Sequence, residues 1–208
     1  MTTLLHISAS PRGIESESLA IANTFLEIYR DANPADVIET FDLWDGSLPA
    51  FGPNAAQAKM SVFAGQTPTG ERAEAWRAAG RTFERFNSAQ KYLFSVPMWN
   101  AGVPYILKQF IDIVSQPGMV FTFDPVTGYR GLLTGKKVAV VYTSAVYGED
   151  RGPEFGVDFQ RPYLRSWLRW AGIDDITEIA FQPNLASADA DSGRQSAHAC
   201  AREQAKAF

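Results

Sequence analysis

Short apolar runs alternate along the chain with longer segments in which apolar residues recur at helical spacing. The runs that predict strands are 3–8, 37–43, 91–96, 136–143 and 176–181. The segments that predict helices are 18–29, two within 54–87 of which the second is 71–86, 106–114, 160–171, and a polar one toward Phe208. Strands that alternate with helices in this way are typical of a parallel sheet with helices on both faces and right-handed crossovers.

Two segments add detail to this pattern. From Lys136 to Thr143, a continuous apolar run rich in valine is typical of a parallel strand that is buried on both faces. From Gly118 to Gly131, aromatic residues flank the turn-forming stretch 124–128. This second pattern predicts a hairpin excursion from the sheet.

Composition narrows the class of protein. At 208 residues and 46% hydrophobic content, the chain can bury a full core, and we expect residues 1–208 to form a single domain.

A net charge of −4 without a Lys- or Arg-rich run argues against binding to nucleic acid or to an anionic membrane surface. Charged residues, Gly or Pro interrupt every apolar run, so no membrane span is expected. The one cysteine, Cys200, cannot form an intrachain disulfide, and the chain opens directly into a strand, which predicts a cytoplasmic location.

The candidate chemistry lies in the loops that follow the strands. In an open parallel sheet, ligands bind beyond the carboxyl ends of the strands, which here selects the loops 8–18, 97–104 and 143–148. The first loop has neither the G-x-G-x-x-G motif of dinucleotide-binding proteins nor the G-x-x-x-x-G-K-[ST] motif that binds nucleoside triphosphates. It offers Ser8, Ser10, Ser16 and Ser18 before a helix, a pattern that suits one terminal phosphate. Arg12 could add a charge contact or face solvent, and the serines could equally be loop and cap residues.

The second loop places a sulfur, a large aromatic ring and an amide after a buried strand. Met98, Trp99 and Asn100 could support a flat tricyclic ring and hydrogen-bond its polar rim. The alternative is that Met98 and Trp99 are ordinary core residues. Pro97 and Pro104 indicate a loop of defined shape.

The second loop and the helix after it carry a family resemblance. Residues 97–114 read PMWNAGVPYILKQFIDIV. This stretch resembles the flavin loop of the FMN-dependent NADH:quinone oxidoreductases, also called azoreductases. In that family, Pro-Met-(Tyr or Trp)-Asn-Phe-x-(Ile or Val)-Pro is followed by a Leu-Lys-x-aromatic-(Ile or Phe)-Asp pattern. The segment 131–137 and the opening serines fit the same family, so the likeness extends from residue 3 to about residue 181.

The resemblance implies an α/β fold of the flavodoxin-like type. This is a three-layer sandwich with a five-stranded parallel sheet of order 2-1-3-4-5, helices on both faces and a hairpin excursion near 118–131. It also implies a homodimer that takes two electrons from NADH or NADPH and gives them to quinones, with reductive cleavage of aromatic azo compounds and ping-pong kinetics. The flavin N5 would carry the chemistry, so no catalytic side chain and no metal is expected. His6, His198 and Cys200 are therefore interpreted as structural or incidental.

The resemblance also implies a set of cofactor-binding residues. The FMN phosphate would be bound by Ser10, Ser16, Glu17 and Ser18, with Arg12 beside them. The isoalloxazine would contact Pro97, Met98, Trp99, Asn100 and Ala101. Its pyrimidine side would be closed by Thr143, Ser144, Ala145, Val146, Tyr147 and Gly148. In the hairpin, Phe121 and Phe123 would reach across the dimer interface into the partner's substrate pocket, or else pack in the core.

Two positions depart from the family pattern. Ala101 stands where the family has an aromatic residue, which removes one wall of the pocket and could shift substrate preference. Residues 144–147, Ser-Ala-Val-Tyr, replace a Gly-Gly pair, so the approach of the backbone to the flavin could differ.

Two other classes of protein share the strand–helix pattern. One is a flavodoxin-type electron carrier or a flavin-binding regulator without catalytic activity, for which the length and the hairpin are less suited. The other is a response-regulator-like signalling domain, which needs paired acidic residues after its first strand to bind Mg²⁺. Ser8, Ala9 and Ser10 occupy that position here.

Overall fold

A five-stranded parallel sheet forms the centre of the protein, and a two-stranded hairpin lies apart from it. The computed structural model describes residues 1–185 and 187–208. The strands are β1 (Thr3–Ser8), β2 (Val37–Asp42), β3 (Lys91–Pro97), β4 (Phe121–Asp124), β5 (Gly128–Gly131), β6 (Lys137–Thr143) and β7 (Asp175–Phe181). The central sheet has the order β2-β1-β3-β6-β7, and all its neighbours pair in parallel. Counted within the sheet this is 2-1-3-4-5, so the predicted flavodoxin-like topology is confirmed.

Six helices cover the two faces of this sheet. They are α1 (Glu17–Ala32), α2 (Pro53–Phe63), α3 (Gly70–Asn87), α4 (Tyr105–Val114), α5 (Arg161–Trp170) and α6 (Ala190–Ala207). Short 3-10 turns occupy Gly13–Glu15 and Pro153–Phe155. None of the helices in the described ranges is long and apolar enough to cross a membrane.

The core is divided into two clusters because successive side chains of a strand point to opposite faces. From β3, Tyr92 and Phe94 pack with Phe110 and Trp167 of the helices on one face. Leu93 between them points to the other face, toward α1 and α6. Each fully buried large apolar side chain contributes about 2 kcal/mol relative to exposure. On α4, the predicted face Leu107, Phe110, Ile111 and Val114 is buried as expected, and Ile106 and Ile113 are buried as well.

The predicted hairpin is present as the antiparallel pair β4–β5. At its tip, the Asp124 carboxylate accepts hydrogen bonds from the backbone N–H groups of Val126 and Thr127 at 2.9 and 2.8 Å. At its base, Gly131 lies so close to the end of α5 that an added Cβ would come within 2.3 Å of the Gly172 nitrogen. A glycine is therefore required at residue 131 for the hairpin to dock on α5.

Candidate active site

Three loops that are far apart in sequence meet at the carboxyl edge of the sheet. The backbone N–H of Ala9 donates to the Ser95 carbonyl at 3.1 Å, and that of Met98 donates to the Thr143 carbonyl at 2.7 Å. A cavity of about 120 Å³ lies where the loops join. Its lining comprises Ser10, Arg12, Ser16, Glu17, Pro97, Met98, Trp99, Thr143, Ser144, Ala145, Asn184 and Leu185. The predicted juxtaposition of the first and second loops at one edge of the sheet is confirmed.

Ser10, Ser16 and Ser18 form what we call the serine cradle, of which Ser10 and Ser16 line the cavity. All three are at most 4% exposed. Ser16 is the N-cap of α1, where its Oγ accepts a hydrogen bond from the Leu19 N–H at 3.3 Å and lies 3.1 Å from the Oγ of Ser18. The first N–H groups of a helix have no intrahelical acceptor, and the helix dipole adds partial positive charge there. The cradle thus combines hydroxyls and N–H groups in a manner suited to one anionic group.

The charged residues around the cradle, Arg12 and Glu17, each lie close to a residue of opposite charge. Arg12 lines the cavity, but its side chain is 62% exposed, and its Nη2 lies 3.8 Å from Glu15. Glu17 also lines the cavity, and its carboxylate is bound by Arg194 from α6 at 2.8 Å. Arg12 thus lines the cavity and remains in contact with solvent, and its charge contact with a phosphate stays a prediction.

Residues Met98–Ala101 form what we call the ring shelf. Met98 and Trp99 are only partly buried, so neither is an ordinary core residue. Asn100 and Ala101 occupy the two central positions of a tight turn with φ of 47° and 66°. Positive φ is uncommon for residues with a Cβ, and for alanine it signals local strain. In this turn Asn100 is exposed, and it lines the mouth of the site.

A second cavity lies beside the first, along the ring shelf. It measures about 190 Å³ and is lined by Met98, Asn100, Ala101, Ser144, Ala145, Val146, Tyr147, Phe155, Gly156 and Val157. Met98, Ser144 and Ala145 line both cavities. The two cavities are therefore adjacent, one beside the serine cradle and the other beside the ring shelf.

The loop after β6 is held from behind by the segment that follows β7. The carbonyls of Ser144 and Ala145 accept hydrogen bonds from the N–H groups of Asn184 and Leu185 at 2.8 and 3.1 Å. Gly148 lies against Pro183, where an added Cβ would come within 2.8 Å of the proline ring. Asn100 and Ala101 are the positive-φ non-glycine residues of the described ranges. Residues 144–147 thus adopt backbone conformations open to ordinary side chains, and the missing Gly-Gly pair requires no strain.

Several residues that line or support the site were missed by sequence reasoning. Trp44 follows β2, donates from Nε1 to the Ala9 carbonyl at 3.1 Å, and packs its ring 5.8 Å from that of Trp99. Asn184 and Leu185 directly follow β7. The rule that selected three loops applies equally to the loops after β2 and β7, and it could have found both groups. Phe155 and Val157 carry no such signal, because they lie well beyond the end of β6.

The two hairpin phenylalanines do not line either of these cavities. Phe121 is 3% exposed and packs 4.7 Å from the Trp170 ring, so within this chain it is a core residue. Phe123 is 52% exposed and contacts Tyr129. Their assignment to a substrate pocket stays a prediction that depends on a second copy of the chain.

The two histidines and the cysteine lie away from the ring shelf. His6 is buried in the sheet, with Nε2 3.1 Å from the Ser95 Oγ, and burial lowers the pKa of His6 to about 4. His198 Nδ1 lies 2.8 Å from the Thr24 hydroxyl, and Cys200 packs against the second core cluster. Within the described part of the chain, no three His, Cys, Asp or Glu side chains form a cluster suited to a metal ion.

A broad groove adjoins the ring shelf on its other side. Its volume is about 1110 Å³, and its lining includes Trp99, Asn100, Tyr105, Phe159 and Tyr163. Tyr105 and Phe159 are 61% and 63% exposed. Exposed apolar surface of this kind marks a site of ligand or protein contact.

Comparison with known proteins agrees with this geometry. The family model described as "Flavodoxin-like fold" matches residues 2–205. An FMN-dependent NADH:quinone oxidoreductase of Ruegeria pomeroyi is 45% identical over 93% of this chain and 95% of its own length. One from Burkholderia lata is 38% identical over the full length of both chains.

Solved structures of azoreductases superpose on this chain over almost its full length. An azoreductase from Bacillus anthracis str. Sterne superposes with a TM-score of 0.91 at 25% identity, covering 100% of both chains. An FMN-dependent NADH-azoreductase from Bacillus anthracis str. Ames Ancestor, solved in complex with FMN, gives a TM-score of 0.88 at 25% identity over 100% of this chain and 99% of that one. The likeness covers the serine cradle, the ring shelf and the loop after β6, and the chain belongs to the flavodoxin-like family of FMN-dependent NADH:quinone oxidoreductases.

Proposed function

We propose that this protein is an FMN-dependent oxidoreductase that transfers two electrons from NADH to quinones and to aromatic azo compounds. The observation that carries the proposal is that the two cavities are adjacent, since Met98, Ser144 and Ala145 line both. An anion-binding cradle beside the ring shelf matches a phosphate and a ring on one molecule. Relatives whose names include FMN, NADH and quinone align with almost the whole chain.

In this proposal, the cradle holds the phosphate and the shelf holds the ring. Ser10, Ser16 and Ser18 donate their hydroxyls together with the first N–H groups of α1. Met98 to Ala101 support one side of the ring, and residues 143–148 lie at its pyrimidine edge. FMN bound there supplies hydride acceptance from NADH and two-electron reduction of the acceptor. The chain itself contributes binding, orientation and exclusion of water, for which no acid, base or metal is needed.

We also propose that the active unit is a homodimer. The groove beside the shelf exposes the aromatic rings of Tyr105 and Phe159, and a second copy would cover them. That arrangement would close the site over the flavin and could bring Phe123 of one chain to the site of its partner. The single-domain organisation and the cytoplasmic location expected from the sequence stay predictions.

A non-catalytic electron carrier is less well supported. Such a protein needs only an exposed ring edge, whereas the groove next to the shelf offers room for a second small molecule.

The test combines flavin binding with turnover. Protein that has been stripped of flavin and then mixed with FMN is expected to bind it and to oxidise NADH rapidly when benzoquinone is added. A protein that takes up no FMN would refute the proposal. One that binds FMN but does not oxidise NADH with any quinone or azo dye would favour the carrier.

A further inference from the structure

Glu17 places a carboxylate next to the cavity to which an anion is assigned. The residue is part of the lining of that cavity. A carboxylate next to a phosphate opposes binding, since like charges a few ångströms apart repel strongly wherever water is partly excluded. A site built for a phosphate therefore has to neutralise this residue or turn it away.

Arg194 provides that neutralisation from the C-terminal helix. Its Nη2 lies 2.8 Å from Glu17 Oε1, and its Nε lies 3.1 and 3.2 Å from Oε1 and Oε2. The fork of the guanidinium thus occupies both carboxylate oxygens. The Glu17 side chain is only 25% exposed, so the pair is less screened by water than an ordinary surface ion pair.

Other contacts fix the guanidinium in this place. Arg194 Nη1 lies 2.6 Å from Asp191 on the same helix, and the guanidinium lies 5.6 Å from the centre of the Phe181 ring at the end of β7. Gly193 packs against the same ring, where an added Cβ would come within 3.2 Å. The arginine is therefore oriented by its surroundings as well as by Glu17.

Contacts other than the pair also dock α6. Ala197, Ala201 and Ala205 of α6 are at most 3% exposed in the second core cluster. His198 also binds Thr24 of α1. The helix is thus also held by apolar packing and by a second polar contact. A role for the ion pair at the cradle is therefore compatible with the docking of α6.

We propose that Arg194 is a positioning residue that holds the Glu17 carboxylate away from the cradle and neutralises it, so that a phosphorylated flavin is selected over riboflavin. The proposal rests on the proposed function, because it takes the cradle as the phosphate site. It makes the selectivity for the phosphate depend on α6, which is distant in sequence from the serine loop.

The experiment compares the binding of FMN and riboflavin by quenching of flavin fluorescence in the full-length protein. The variants are Arg194→Gln, Glu17→Gln and the double variant, with Arg202→Gln as the control, since Arg202 is an exposed arginine of the same helix. Arg194→Gln is expected to weaken FMN binding by about tenfold, because an unpaired carboxylate then faces the phosphate. Riboflavin binding is expected to stay within about twofold of the wild type, since it lacks the charge. Arg202→Gln should leave both affinities unchanged.

Glu17→Gln decides the matter even if Arg194→Gln does not fold. It is expected to bind FMN at least as tightly as the wild type, and the double variant should recover the affinity lost in Arg194→Gln. A parallel loss of FMN and riboflavin binding in Arg194→Gln, without recovery in the double variant, would mean that the pair is merely structural and would overturn the inference. A loss of FMN binding in Glu17→Gln with riboflavin binding unchanged would also overturn it.

Failure of the inference differs from failure of the proposed function. A wild-type protein that binds FMN, prefers it to riboflavin and reduces quinones, but is insensitive to Arg194→Gln, refutes only the role of Arg194. A wild-type protein that binds both flavins equally refutes the cradle and the inference together. A protein that binds neither flavin refutes the proposed function as well.

Discussion

Trp99 and Gly102 exchange two backbone hydrogen bonds of 2.9 Å, each residue donating its N–H to the carbonyl of the other. The two residues between them, Asn100 and Ala101, both have positive φ. This is the geometry of a two-residue turn that favours Asn followed by Gly. The backbone N–H of Phe159 donates to the Ala101 carbonyl at 2.8 Å and ties the turn to the groove. The shape of the ring shelf thus depends on an alanine in a conformation that suits glycine.

Ala101→Gly is expected to stabilise the protein. A left-handed conformation costs an L-residue roughly 1–2 kcal/mol, which exceeds the extra backbone entropy that glycine loses on folding. The net gain should be about 0.5–1 kcal/mol, or a rise of about 1–3 °C in Tm by differential scanning calorimetry. Ala145→Gly is the matched control, since Ala145 is exposed in the neighbouring loop without a positive φ. The control should lower Tm, and a lower Tm for Ala101→Gly would contradict the prediction.

Removal of the cradle hydroxyls is expected to weaken FMN binding selectively. Hydrogen bonds to charged groups are worth roughly 1.5–3 kcal/mol, so Ser16→Ala combined with Ser18→Ala should raise the Kd for FMN by more than about tenfold. Riboflavin titrations in parallel separate loss of the phosphate contacts from loss of the α1 cap. Ser196→Ala, in an exposed position of α6, serves as the control. Unchanged FMN affinity in the double variant would place the phosphate elsewhere.

A charge placed in the groove is expected to separate the proposed homodimer. Phe159→Glu puts a carboxylate where an apolar ring is 63% exposed, and burial of that charge in an interface would be strongly unfavourable. Sedimentation velocity should show a dimer for the wild type and a monomer for the variant. Met60→Glu, on α2 and equally exposed at 64%, should remain dimeric. A wild-type monomer at micromolar concentration would refute the dimer.

Acid is expected to destabilise the fold through His6. In the folded chain the pKa of His6 is lowered to about 4 by burial, from an ordinary value of 6.5. The unfolded chain therefore binds the extra proton first, and the contribution of neutral His6 is complete above pH 6.5 and is lost as the pH falls toward 4. The loss should reach about 3 kcal/mol at pH 4.

Urea unfolding at several pH values measures this effect. Other groups also titrate in the same range, so the informative quantity is the difference between the wild type and His6→Gln, which keeps a hydrogen-bonding side chain but does not titrate. The slope of stability against pH between 4 and 6.5 should be smaller in the variant. Equal slopes would show that His6 is already solvated in the folded protein.

Much of the fold could be read from local pattern. The β-branched and aromatic runs give the five strands of the sheet within one or two residues of their bounds. Continuous apolar sequence marks the inner strands β1, β3 and β6, which are buried on both faces, whereas the outer strands β2 and β7 are partly exposed. The buried face of α4 follows from its helical spacing. Helix ends were less accurate, and α1 continues to Ala32, three residues beyond its predicted end.

The sequence predicted which loops form the site, but not the full set of residues that come together there. The serines, Met98 and Asn100 are recognisable because they follow strands and match a family motif. Trp44, Asn184 and Leu185 carry no motif, and only their position just after β2 and β7 points to the site.

The sequence by itself determined the strand–helix order, the three loops at the carboxyl edge and the type of ligand they suit, since these depend on local spacing and on residue chemistry. Only the tertiary structure decided which side chains meet. It joined the cradle to the shelf through Met98 and Ser144, placed Phe121 in the core, and brought Arg194 to Glu17 across most of the length of the chain. Contacts of this kind are fixed by how the elements pack and not by the local propensities of the residues that make them.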